Sequence, residues 1–155
     1  MQKKSLKAFA AVLAVMFVSG CQTSNLDHTN TRAIAPSKDI SESDLKAGKV
    51  QFLDANYGLA EKHFRKAVEL RADNAEAWMG LAAAYDQLGR FDFADRAYEQ
   101  LLNVAGRKPQ IVNNMGYSQL LRGDKKKAAK LLKEAKTALG NDPVVAANMA
   151  LLKKS

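Results

Sequence analysis

The stretch "AEAWMGLAAAYDQLGRFDFADRAYEQLL", residues 75–102, decides the fold. Trp78, Leu81 and Tyr85 recur at helical spacing, Gly89 interrupts, and Ala94, Tyr98 and Leu101 resume the period. Two amphipathic helices joined by a glycine turn follow from that pattern. Shifting the marker positions by 34 residues gives Val112, Met115, Gln119, Gly123, Ala128 and Leu132 on one side. On the other side the same shift gives Asp44, Ala47, Gln51, Ala55, Ala60 and Phe64. Gly48 and Gly116 fall where Ala82 stands, so a small residue recurs at one position of each first helix. A further shift sets Ala146, Met149 and Ala150 over Val112, Met115 and Gly116, so that "VNNMG" echoes in "AANMA".

These residues resemble the tetratricopeptide repeat, whose pattern is W-x2-L-G-x2-Y and then A-x3-F. Ala82 replaces its Gly, Tyr98 its Phe, and Gln119 stands in the third repeat for its Tyr. The resemblance implies an all-α tetratricopeptide-repeat solenoid of three helix-turn-helix repeats, 41–74, 75–108 and 109–142, closed by a capping helix and tail at 143–155. Each repeat has a first helix, A, and a second, B. Trp78 is expected to pack between them. Asn74 and Asp142 are candidate N-caps, Pro109 and Pro143 suit a first helical turn, and Gly89 and Gly123 suit A-helix ends.

The N-terminus reads as an address. Lys3, Lys4 and Lys7 precede an apolar run from Ala8 to Val18, too short to span a bilayer, and residues 1–20 have the layout of a signal peptide. "VSGC", ending at Cys21, resembles the bacterial lipobox. That likeness implies cleavage after Gly20 and lipidation of Cys21, giving a membrane anchor. Gln22 replaces the Asp that resembles an inner-membrane retention signal, which implies the outer membrane, facing the periplasm. Residues 21–40 are rich in Ser, Thr and Asn and carry no helical period, so they read as a lipidated tether. Cys21 is the only cysteine, which excludes an internal disulfide.

The chain holds 155 residues, enough for one domain, and its net charge of +8 falls to +5 once the three leader lysines are gone (8 − 3). The basic excess gathers near the C-terminus, in Lys125, Lys126, Lys127, Lys130, Lys133 and Lys136. A solvated face, anionic headgroups and an acidic partner all suit it. Export and the lack of interleaved aromatics argue against nucleic acid. With only two histidines, one in the tether and one isolated at His63, no metal site, cofactor or active site is expected.

In a tetratricopeptide stack the A-helices line a concave groove. Helical periodicity projects Leu45, Lys49 and Phe52, then Met79, Ala83 and Asp86, then Asn113, Asn114, Tyr117 and Leu120 toward it. Such an apolar groove with scattered polar anchors suits a protein or peptide client. The adjacent Asn113 and Asn114 either offer carboxamides to a client backbone or bond within the protein.

"NYGLAEKHFRKAVEL", residues 56–70, the opening stretch and "NNMGYSQLLRGD", residues 113–124, together with the lipobox, resemble the TadD-like lipoproteins of tight-adherence (Tad, or Flp) pilus assembly. The resemblance implies a non-catalytic, pilotin-like factor that assists a secretin or secretion machine. A periplasmic scaffold recruiting cell-wall hydrolases or an envelope-assembly complex is the alternative.

Overall fold

The structure is a computed structural model that describes residues 39–155. The signal peptide, Cys21 and the tether up to residue 38 lie outside the described residues. Among the described residues there are seven α-helices and no strand: α1 Glu42–Leu53, α2 Tyr57–Leu70, α3 Ala75–Gln87, α4 Phe91–Ala105, α5 Pro109–Leu121, α6 Lys125–Leu139 and α7 Pro143–Lys154. Neighbouring helices pack as pairs, α1 with α2, α3 with α4 and α5 with α6. The A-helices also touch in succession, α1 with α3, α3 with α5 and α5 with α7. This is an all-α tetratricopeptide-repeat solenoid.

The recurring small residue explains the pairing. A Cβ added at Gly48 would lie 2.7 Å from the Phe64 ring, and one at Gly116 would lie 2.8 Å from Leu132. Both distances are below van der Waals contact, so only glycine lets the α1 and α5 backbones rest on these B-helix side chains. Ala82, fully buried, holds the equivalent place in the middle repeat. The core runs from Leu45 through Phe64, Leu81, Tyr98 and Leu101 to Ile111. A smaller cluster around Val112, Ala135 and Val145 seats α7 on the third repeat.

Helix ends follow their local chemistry. Asn74 accepts from the Ala77 amide at 3.0 Å and Asp142 from the Val144 and Val145 amides at 2.9 and 3.0 Å. Asp124 caps α6 in the same way, accepting from the Lys127 amide at 2.9 Å. Pro109 and Pro143 open α5 and α7. The three A-to-B turns share one closing bond, from the amides of Asn56, Arg90 and Asp124 to the carbonyls of Gln51, Tyr85 and Gln119. That reach across five residues needs a left-handed residue just before the donor. Gly89 and Gly123 supply it with φ of 69° and 80°, but the first repeat has Ala55 at φ 58°.

Trp78 is less enclosed than its repeat position implied. It is half-buried, with its indole N–H donating to the Ala72 carbonyl at 2.7 Å, and lines a hollow with Val68, Tyr85 and Phe93 on the α2 and α4 side. Gln119, in the place of the repeat's Tyr, carries a buried Oε1 with no hydrogen-bond partner among the described residues.

Ala55 is a strained residue with a remedy written in the other repeats. A left-handed conformation costs an L-residue about 1–2 kcal/mol, and glycine's greater freedom in the unfolded chain offsets about 0.5–1 of that gain. Ala55→Gly is therefore expected to stabilise the fold by up to about 1 kcal/mol. Thermal denaturation checks this: a lowered melting temperature would contradict the strain at this turn.

Candidate binding groove

The shared face of α1, α3, α5 and α7 carries two apolar hollows. The first lies between α1 and α3, is about 310 Å³, and is lined by Lys49, Phe52, Leu53, Phe64, Met79, Gly80 and Ala83. Its floor is the Phe64 ring. A Cβ on Gly80 would approach that ring at 2.4 Å, so Gly48 and Gly80 together admit it between the two A-helices. Phe52 stacks edge-on against Tyr57 at 5.2 Å between centroids, which fixes one wall. Leu53 stands at the rim, 85% exposed. The only charged lining residue, Lys49, is paired with Glu76.

The second hollow, about 380 Å³, lies between the C-terminal ends of α5 and α7 and is lined by Tyr117, Leu120, Leu121, Leu151, Lys154 and Ser155. Leu121 and Leu151 are exposed. Asn114, half-buried, sits on the α3–α5 seam, where its amide donates to the Met79 sulfur at 2.9 Å.

Of the residues projected toward the groove from sequence, Lys49, Phe52, Met79 and Ala83 meet in the first hollow, and Tyr117 and Leu120 in the second. Three others turn inward. Leu45 is buried in the core of the first repeat. Asp86 is 4% exposed, and its carboxylate accepts from the Ser118 hydroxyl at 2.6 Å and the Tyr98 phenol at 3.0 Å. Asn113 is 3% exposed; its carbonyl accepts from the Asn148 amide at 3.1 Å, and its own amide donates to Asn114 at 3.3 Å. The two carboxamides thus divide: Asn113 stitches α5 to α7 and Asn114 borders the face. The projection failed at these positions because a helix face grades into its flanks, and a polar side chain at the flank bonds inward when a partner is one repeat away.

Leu53, Phe64, Gly80, Leu121, Leu151, Lys154 and Ser155 complete the hollows and were not assigned to the groove from sequence. Carrying the 34-residue shift from Tyr117 and Leu120 onto the last helix would have found Leu151 and Lys154.

Beneath the face, Asp86 belongs to a network across α3, α4 and α5. Arg122 donates to both Asp95 carboxylate oxygens at 2.9 Å, to Ser118 at 2.9 Å, and lies over the Phe91 ring at 4.8 Å. Its guanidinium is 3.9 Å from Asp86. Burial pushes the Asp86 carboxyl above its ordinary range, against the opposing hydrogen bonds from Ser118 and Tyr98. Burial, with Asp86 beside it, also pushes the Tyr98 phenol well up.

Residues 52–113 match the model of a family described as tetratricopeptide repeat. The cytochrome c-type biogenesis protein CycH of Pseudomonas aeruginosa is 29% identical over 104 residues, covering 66% of this chain and 26% of that protein. The tetratricopeptide repeat-containing protein trd-1 of Caenorhabditis elegans is 28% identical over 131 residues, covering 84% of this chain and 17% of that one. The chain therefore spans only a minor part of the length of either relative. The Yersinia enterocolitica type III secretion chaperone SycD, solved with a peptide of the translocator YopD, superposes with a TM-score of 0.64 at 20% identity, covering 76% of this chain and 93% of that one. The Pseudomonas aeruginosa pilF structure superposes with a TM-score of 0.62 at 23% identity, covering 74% of this chain and 52% of that one. These likenesses show the fold.

Two outcomes follow from the geometry. Asn113→Ala leaves the buried Asn148 amide without its acceptor and is expected to destabilise by about 1–3 kcal/mol, whereas Asn114→Ala is expected to stay within about 0.5 kcal/mol. Equal melting temperatures for the two variants would contradict the division. The pH dependence has a definite sign. With its folded pKa raised, Asp86 binds a proton more tightly in the native state, so its contribution to stability grows as pH falls below that pKa. Glu134, held low by Arg107, contributes stability above its unfolded pKa that is lost on acidification. Asp86→Asn removes the compensating term, so its melting temperature is expected to fall more steeply from pH 7 to pH 4 than that of the parent. Parallel curves would mean that Asp86 titrates as an ordinary carboxyl.

Proposed function

We propose that this chain is a lipid-anchored, non-catalytic adaptor that seats apolar residues of a client protein in the two hollows of its A-helix face. On this reading it assists assembly of a Tad/Flp pilus secretin, or a related secretion machine, from the periplasmic side of the outer membrane. The observation that carries the binding role is the pair of apolar hollows on one face, with large side chains left in water at their rims: Leu53 at 85%, Leu151 at 47% and Leu121 at 39% exposed. Each hollow is open, so an occupant gains by desolvation. Covering a leucine contributes about 1.5–3 kcal/mol.

The fold alone supports a protein partner, since SycD holds a peptide of a secretion translocator on the same architecture. The envelope setting rests on the signal peptide and lipobox pattern ending at Cys21. The second reading, a scaffold for another envelope-assembly complex, draws on the similarity to a protein named for cytochrome c-type biogenesis.

The anchor and the client are tested separately. Cys21→Ser is expected to abolish incorporation of labelled fatty acid and release the chain from the outer-membrane fraction. Retention there at the parent's level would overturn the anchor. In cells carrying the pilus genes, deleting the chain is expected to reduce the assembled secretin. Restoration by the parent but not by Leu53→Asp with Leu151→Asp, at equal abundance and melting temperature, supports the groove. Undiminished secretin in the deletion strain would overturn the pilus role and leave the second reading.

A further inference from the structure

The outer face of α6 carries a concentration of like charge that works against the helix bearing it. The helix holds six lysines and one acid, a net charge of 6 − 1 = +5. The other B-helices carry smaller net charges: α2 carries 3 − 2 = +1 and α4 carries 1 − 3 = −2. Lys126, Lys130 and Lys133 are all exposed and lie on one side of α6, opposite the fully buried Ala128, Leu132 and Ala135. They span two helical turns, about 10 Å. Lys136 flanks them.

The two acids of this region act on the stripe only at longer range, Asp124 on Lys126 and Glu134 on Lys130, because each is committed to another partner. Glu134 is held by both nitrogens of an Arg107 fork at 2.9 Å, and Asp124 caps the helix and pairs with Lys127 at 3.2 Å. Lys125 is occupied by the Ser155 backbone carbonyl. Lys126, Lys130, Lys133 and Lys136 form no ion pair among the described residues. Spacings of three and four residues set these lysines one above another, where like charges repel. Lys125, Lys126 and Lys127 also occupy the first turn, at the positive end of the helix dipole, where the N-cap Asp124 is one acid against three lysines. Stability by itself therefore does not account for the arrangement.

We propose that the Lys126–Lys130–Lys133 stripe lies against an anionic phospholipid surface and sets how the repeat domain sits on the bilayer. The chemistry favours a bilayer over an acidic polypeptide for a stated reason. The stripe runs along the outside of a B-helix, away from both hollows, and none of its lysines lines them. It offers a peptide no wall or apolar anchor, whereas a plane of headgroups needs neither. Each lysine near an anionic leaflet contributes about fivefold to surface binding, so three acting together contribute roughly a hundredfold. The contact weakens with salt, because screening shortens its reach to about 8–10 Å at physiological ionic strength. The proposal rests on the membrane-anchored reading above for its proximity to lipid.

The test uses the purified full chain with vesicles of phosphatidylcholine alone, or with about a third phosphatidylglycerol. Amine-reactive labelling is read lysine by lysine. At low salt, Lys126, Lys130, Lys133 and the flanking Lys136 are expected to be protected several-fold by the anionic vesicles only. High salt should release that protection, and Lys62 and Lys66 of α2 should react equally throughout. The triple variant K126E/K130E/K133E is expected to lose the protection at Lys136 while melting no lower than the parent. Equal labelling of the stripe in both vesicle types at low salt overturns the proposal. If the chain is nevertheless retained on neutral vesicles, the anchor reading stands; if it floats with neither, both fall. Protection by polyglutamate but not by phosphatidylglycerol vesicles assigns the stripe to an acidic protein and overturns the bilayer proposal.

Discussion

The closeness of each A-helix to its B-helix is the constraint on which the rest of this molecule depends. Gly48 rests on the Phe64 ring and Gly116 on Leu132, at separations that leave no room for a single Cβ. Interiors pack at crystal-like density, so this one contact sets how far apart the two helices of a pair can be. The pair spacing in turn sets the stacking of successive repeats. Gly80 extends the constraint between repeats, because the same Phe64 ring is also pressed against the α3 backbone. A side chain that closes the core of the first repeat thereby becomes the floor of a hollow on the surface. Core and candidate site are here two sides of one aromatic ring.

Successive repeats are joined by polar as well as apolar contacts. Asn74 donates to Ser41, Ser118 donates to Asp86, and Asn148 donates to Asn113, each bond spanning close to one repeat of sequence. All of these side chains are buried. A buried polar group left unpaired is expensive, so each bond holds its neighbour in one register more strictly than apolar packing would. The repeats consequently present their A-helices at fixed spacing. That spacing separates the hollow at Phe52 and Met79 from the hollow at Leu121 and Leu151.

The two long faces of the solenoid differ in kind. The inner face is apolar with neutralised charge, as Lys49 paired to Glu76 illustrates. The outer face divides by repeat, with ion pairs on α2, a net acidic α4 and, on α6, a basic stripe that forms no ion pair among the described residues. Desolvation drives binding on the first kind of surface and counter-charge on the second. One small repeat domain can therefore present two surfaces that recognise different chemistries without competing.

Much of the fold was legible in the sequence because a repeat states its rule several times. Shifting Trp78, Tyr85 and Gly89 by one period marked the helices, the turns and the small positions, and Asn74, Asp142, Pro109 and Pro143 marked their starts. The deviations were local: the sequence alone did not tell that Ala55 would be forced into the conformation its sister glycines adopt. The site was legible only in part. Periodicity fixes the direction of a side chain about its own helix, and so Lys49, Phe52, Met79, Ala83, Tyr117 and Leu120 were assigned to the groove from sequence. It says nothing of what approaches from the next repeat. Whether Asn113 and Asp86 face solvent or turn inward was decided by Asn148, Ser118 and Tyr98, which lie 35, 32 and 12 residues away. The depth of the first hollow was decided likewise, by a ring from α2 that only two glycines on different helices can admit. A sequence determines the faces of its helices through spacing alone, while the neighbour that covers a face is set by tertiary packing.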